Sequence, residues 1–119
     1  TSARDVATFI SSIIWDPVAA PLFTGMEQQE KVAKDGFFQG FGTARLERVK
    51  GSKMGWSDDR GSATGSVSWG EIGDETWAVA ALTEGNAYQN TVDTRVGIRQ
   101  VEDQAASTMA VFNEWRKQW

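Results

Sequence analysis

Val6, Phe9, Ile10, Ile13 and Ile14 recur at intervals of three and four, the spacing that lines one face of an α-helix. Ser2 and Asp5, three residues apart and just ahead of that stripe, can form a capping box that satisfies the first free amides. The helix is predicted to stop at Trp15 and Asp16, because Pro17 disfavours helical backbone in the residue before it, and Pro21 is expected to keep the next stretch irregular. A second capping signature, Thr24-Gly25-Met26-Glu27, predicts a shorter surface helix closed by Gly36, with a thin apolar face of Met26, Val32 and Ala33.

From Phe37 the periodicity changes. A first strand is read at Thr43 to Lys50, and the glycine- and serine-rich stretch from Gly51 to Gly65 is read as a long loop. Thr64 to Trp69 alternates, with Val67 and Trp69 on one face, and Gly70 to Asp74 turns the chain into a strand over Glu75 to Thr83. The run Trp77 to Leu82 is apolar on both faces, which places that strand inside the sheet. Tyr88, Val92, Val96 and Ile98 then share one face of a fourth strand, with Gln89, Thr91, Asp93, Arg95 and Arg99 on the other. Asp103 caps a last helix whose stripe is Ala105, Met109, Phe112, Trp115 and Trp119. The predicted fold class is α+β in one domain over residues 1–119: two N-terminal helices, a four-stranded antiparallel meander sheet, and a C-terminal amphipathic helix packed on the sheet.

The residues that are missing narrow the chemistry. There is no histidine and no cysteine, which removes imidazole bases, thiolate nucleophiles and nitrogen or sulfur ligands for zinc, copper or haem. Gly36, Gly40 and Gly42 invite a phosphate-loop reading, but no Walker motif is present and Arg45 occupies the third glycine position of a dinucleotide fingerprint. In Gly61-Ser62-Ala63-Thr64-Gly65 the serine stands one position early for a nucleophile elbow. Asp58 and Asp59 lack the spacing of a calcium loop. No catalytic, cofactor or metal motif emerges, and a non-catalytic role is preferred to an enzyme.

Net charge is −4, which disfavours nucleic acid although Phe41, Arg45, Arg48, Lys50, Lys53 and Trp56 interleave aromatics with cations. The cations between Asp35 and Arg60 and the acids between Gly61 and Glu102 are expected to pair across solvated faces. The longest apolar stretch, Phe9 to Trp15, is too short to span a bilayer. A chain that opens on Thr1 reads as processed or excised, and an exported setting, periplasmic or extracellular, is preferred.

Tryptophan is the unusual feature, with indoles at 15, 56, 69, 77, 115 and 119. That is more aromatic area than a small core needs, so at least one ring is expected in solvent. Trp69 and Trp77 read as core and Trp15 as the anchor at the end of the first helix. Trp56 with Asp58, Asp59 and Arg60, and Trp115 with Arg116 and Trp119, are the candidate contacts with a partner protein or a second copy, since tryptophan and arginine are enriched at binding hot spots. The alternative is a small-ligand or sugar pocket between helices and a curved sheet. It is similar in outline to the cone of NTF2-like domains, which would make Asp16, Tyr88 and Asp93 its polar groups and carboxylate-based isomerase or hydrolase chemistry its activity.

Overall fold

The computed structural model describes residues 1–34, 36, 38–40, 42–56, 63–84, 103–104, 106–111, 113–114 and 117, with Trp56, Ala63 and Glu84 by backbone alone. Helix α1 (Ala3–Ile13) begins where the sequence places it: the Asp5 amide donates to Ser2 Oγ at 3.1 Å, and the Ser2 amide donates to Asp5 Oδ2 at 3.0 Å. It buries Ile10, with Ile13 and Ile14 half-buried beside it. Ser2→Ala should cost about 1 kcal/mol, the usual worth of a hydroxyl cap, read as a lowered urea midpoint.

The Ser2 hydroxyl, and after it the Ser2 amide, hold the Asp5 carboxyl below its ordinary range. The stabilisation from this pair is therefore present above the unfolded-state pKa and is lost as pH falls through the folded one. In an NMR titration, Ser2→Ala should move the Asp5 midpoint upward.

The two prolines start helices here. Asp16 Oδ1 accepts from the Val18 amide at 2.9 Å, Pro17 opens a 3-10 turn (Pro17–Ala19), and Pro21 sits in the first turn of α2 (Ala20–Glu27). In a first turn proline's missing amide has no intrahelical acceptor to lose, so Pro21 begins regular structure where irregular chain was expected. Consequently Thr24 lies inside α2, and the predicted helix from Thr24 to Gly36 is absent. The chain leaves the helix at Gln28, and Val32 and Phe38 form an isolated antiparallel bridge. Gly36 does adopt the left-handed conformation, at φ 87°, but within a turn closed by its amide on the Ala33 carbonyl.

The first predicted strand is also displaced. Gly42–Arg45 is a 3-10 turn, and β1 (Val49–Trp56) occupies much of the stretch read as a loop. It pairs with β2 (Ala63–Ile72), which pairs with β3 (Glu75–Glu84), giving a three-stranded antiparallel meander in the order β1-β2-β3. The β2–β3 reversal needs two residues, Gly73 and Asp74, and Gly73 at φ 61° supplies the first central position of a type II′ turn. Lys50 is the extra residue of a bulge between Val49 and Gly51. It meets Glu71 at 3.3 Å, one pairing of the two oppositely charged halves.

The glycines of this sheet make room for indoles. Gly51 lies opposite Trp69, where an added Cβ would stand 2.5 Å from Trp69 Nε1. Gly70 lies opposite Trp77, where a Cβ would stand 2.5 Å from Trp77 Cζ2 and would collide with the Arg48 carbonyl. Both rings are buried, as their strand positions predicted.

The sheet is covered on two sides. On the helical side Trp69 packs with Ile10, Phe23 and Met26, and the Phe23 ring meets it edge-on, with centroids 5.6 Å apart. On the other side Met54, Ser66, Ser68, Trp77, Val79 and Ala81 are buried, and the Gly42–Arg45 turn lies against β1 and β2. β3 is an edge strand of the three described, and Leu82 on its helical side is exposed. The fourth strand predicted around Tyr88 to Arg99 lies outside the described residues. A short C-terminal helix is described at 103–104, 106–111 and 113–114.

Candidate functional site

The feature that stands out from this framework is the elbow between α1 and α2. The chain bends by 111° between the two arms, and Trp15 and Val18 lie at the apex, 73% and 88% exposed. Phe9 on the first arm and Leu22 on the second are exposed as well. The bend is built locally: the Asp16 amide donates to the Ile13 carbonyl at 2.9 Å, Asp16 caps the Val18 amide, and Pro17 fixes the backbone between them. Asp16 caps the turn from an exposed position and lines neither the depression between α2 and β1 nor the one beside the C-terminal helix.

Trp15 therefore does not anchor the first helix. Ile10, Ile13 and Ile14 carry that packing, and the turn after Ile13 takes Trp15 off their stripe. At least one indole in solvent was expected, and Trp15 fulfils it at an unexpected position. The available signal was the pair of prolines two and six residues beyond Trp15, which force a change of direction there.

Of the other expected contact residues, Trp56 ends β1, and its side chain lies outside what is described. Asp58, Asp59, Arg60, Trp115, Arg116 and Trp119, and the pocket residues Tyr88 and Asp93, lie outside the described residues. Of the three predicted pocket residues only Asp16 is placed, and it is a cap.

Of the depressions lined by described residues, the two larger are candidate sites. One, of about 390 Å³, runs between α2 and β1 and is lined by Leu22, Met26, Gln29, Gln39, Ser52 and Lys53 among others. The other, of about 740 Å³, lies between the C-terminal helix and Glu47, Arg48 and Ile72. Its walls mix Glu47 and Glu114 with Arg48 and Lys117, and Lys117 bonds Glu114 at 2.9 Å. Among the described residues, neither lining brings together a base and a nucleophile. Among the described residues no three carboxylates gather to hold a metal.

The buried hydroxyls opposite the helical face are structural. Thr43 Oγ1 lies 2.5 Å from Ser66 Oγ and 2.6 Å from Ser68 Oγ, the Thr43 amide donates to Ser66 Oγ at 2.9 Å, and Ser66 Oγ donates to Met54 Sδ at 2.9 Å. Each hydroxyl has one proton, so the directions follow. Ser66 gives its proton to sulfur, Thr43 must donate to Ser66, and Ser68 must donate to Thr43. With no titrating partner in this chain of bonds, it fixes the turn on the sheet and offers no general base.

Fluorescence tests the exposure pattern. Trp15→Phe should lower the acrylamide-quenched fraction of the emission, whereas Trp69→Phe should remove shielded emission and leave the quenched component in place. No family model matches the chain, and searches of curated proteins and of solved structures likewise return no match.

Proposed function

We propose that this chain is a small, acidic, non-catalytic protein-binding module, of an exported setting, whose contact surface is the α1–α2 elbow. The observation that carries the reading is the exposure of Trp15 and Val18 at the apex of a backbone bend held by its own capping bonds. A rigid turn presenting an indole loses little conformational entropy on binding, and tryptophan buries a large area for two rotatable bonds. The absence of histidine and cysteine agrees with a role that needs no proton shuttle or thiolate.

Peptide display against the intact chain tests it. Peptides selected on the wild type should lose about ten-fold or more in affinity, roughly 1.4 kcal/mol, for Trp15→Ser/Val18→Ser. Both side chains are exposed, so the variant should keep the wild-type melting temperature. Selected peptides that bind the variant undiminished would defeat the proposal. Sedimentation of the wild type separates a foreign partner from a second copy: self-association through this surface would give a concentration-dependent mass that the same double substitution abolishes.

A second reading, a small-ligand pocket, has the cleft beside the C-terminal helix in its favour. A ligand panel that raises the melting temperature, with the rise lost in Arg48→Ala, would support it.

A further inference from the structure

We infer that the elbow docks into an apolar groove on a partner protein whose rim is basic; this rests on the protein-binding reading above. The argument is charge complementarity around the exposed apolar side chains. Along residues 3–27 the charged groups are Arg4, Asp5, Asp16 and Glu27, three acids against one cation, and Lys53 of β1 shares the α2–β1 depression with Leu22. Two of the acids stand beside the contact residues. Asp5 is four positions before Phe9, which makes the two neighbours on the surface of α1. Asp16 lies between Trp15 and Val18 and is fixed there by its bond to the Val18 amide. Arg4 precedes Asp5 by one residue and is turned about 100° round the helix from it, away from the Asp5–Phe9 line.

The same arrangement argues against a lipid surface. Interfacial helices that hold anionic membranes carry lysine and arginine on the polar face, and here the acids outnumber the single cation in a chain of net charge −4. The two arms together are apolar enough for a membrane span, but their 111° bend and the burial of Ile10, Phe23 and Met26 against the sheet commit that apolar surface to the fold. What remains outside is an aromatic and aliphatic apex with acidic neighbours, and its complement is an apolar pocket bordered by lysine or arginine. Rim charges of this kind set association rate and partner choice more than final affinity.

The test uses the whole chain and two peptides identical in a Leu-Leu-Phe core, one flanked by lysines and one by glutamates. The lysine-flanked peptide should bind about ten-fold more tightly at low salt. The gap should close as ionic strength rises and narrow in Asp16→Asn, which keeps the capping oxygen and removes the charge. Equal binding of the two peptides, if abolished by Trp15→Ser, would overturn the basic rim while leaving a protein-binding elbow. No Trp15-dependent binding of either peptide would overturn both. Flotation with phosphatidylcholine–phosphatidylserine vesicles, lost in Trp15→Ser, would overturn the protein partner in favour of a membrane.

Discussion

Gly70→Ala is expected to destabilise the chain by about 3 kcal/mol, the upper part of the usual range for overpacking, and to lower its thermal midpoint by roughly 10 °C. The added methyl would meet the Arg48 carbonyl, Trp77 Cζ2 at 2.5 Å and Trp77 Cε2 at 2.8 Å. Neither neighbour can yield cheaply. Arg48 is held in the left-handed region at φ 66°, one residue before β1, and the Trp77 ring is 7% exposed in a face filled by Met54, Val79 and Ala81. Gly51→Ala should act in the same direction, because its methyl would stand 2.5 Å from Trp69 Nε1 and 3.0 Å from Met26 Cβ. Gly55→Ala in the same strand is the control: its methyl meets nothing within 4 Å, so its midpoint should stay near wild type. Circular dichroism melts of the three variants decide the matter, and a Gly70→Ala midpoint equal to that of Gly55→Ala would refute the packing described.

Thr43→Val should cost about 2–4 kcal/mol in a urea titration, although the two side chains have nearly the same shape. The threonine is 0% exposed, and removing its hydroxyl leaves Ser68 without its acceptor and takes from Ser66 one of its two donors. A buried polar group left unmatched bears its full desolvation cost, whereas removing both members of a pair can be nearly neutral. The double variant Thr43→Val/Ser68→Ala should therefore be less destabilised than the sum of its single changes, with a coupling above about 0.5 kcal/mol. Strict additivity would mean that these hydroxyls do not depend on one another. The proposed contact surface should be indifferent to the change, so peptide binding through Trp15 should survive wherever the variant is still folded.

The apex of the elbow can be altered with little effect on the buried core. Trp15, Val18 and Phe9 make no entry into the buried cluster of Ile10, Phe23, Met26 and Trp69, so polar substitutions there should separate binding from folding. Gly70 and Thr43 have the opposite character, since both lie where the chain crosses closely over the sheet.

Local pattern decided the elements whose signals are local. The Ser2–Asp5 box, the apolar stripe to Ile14, the alternation from Thr64 to Trp69 and the tight turn before Glu75 need only neighbouring residues, and each is legible in the sequence. The general expectation of an indole in solvent followed from composition alone. Other features depended on groups distant in sequence. Glycines 51 and 55 signal a loop by propensity, yet Gly51 belongs to a strand because Trp69 of the next strand needs the space above it. Ser66 and Ser68 have the polar alternation of a solvated face, and burial came from the Gly42–Arg45 turn, whose Thr43 completes their hydrogen bonds. Pro17 and Pro21 showed that the chain changes direction, but only packing of both arms on the sheet decided which side chains the bend would leave outside. Sequence by itself thus determined where α1 starts and where β2 alternates, through capping and side-chain period. Tertiary structure decided which faces were buried and that Trp15, rather than Trp69 or Trp77, reached solvent, because burial is a property of the partner surface as much as of the residue.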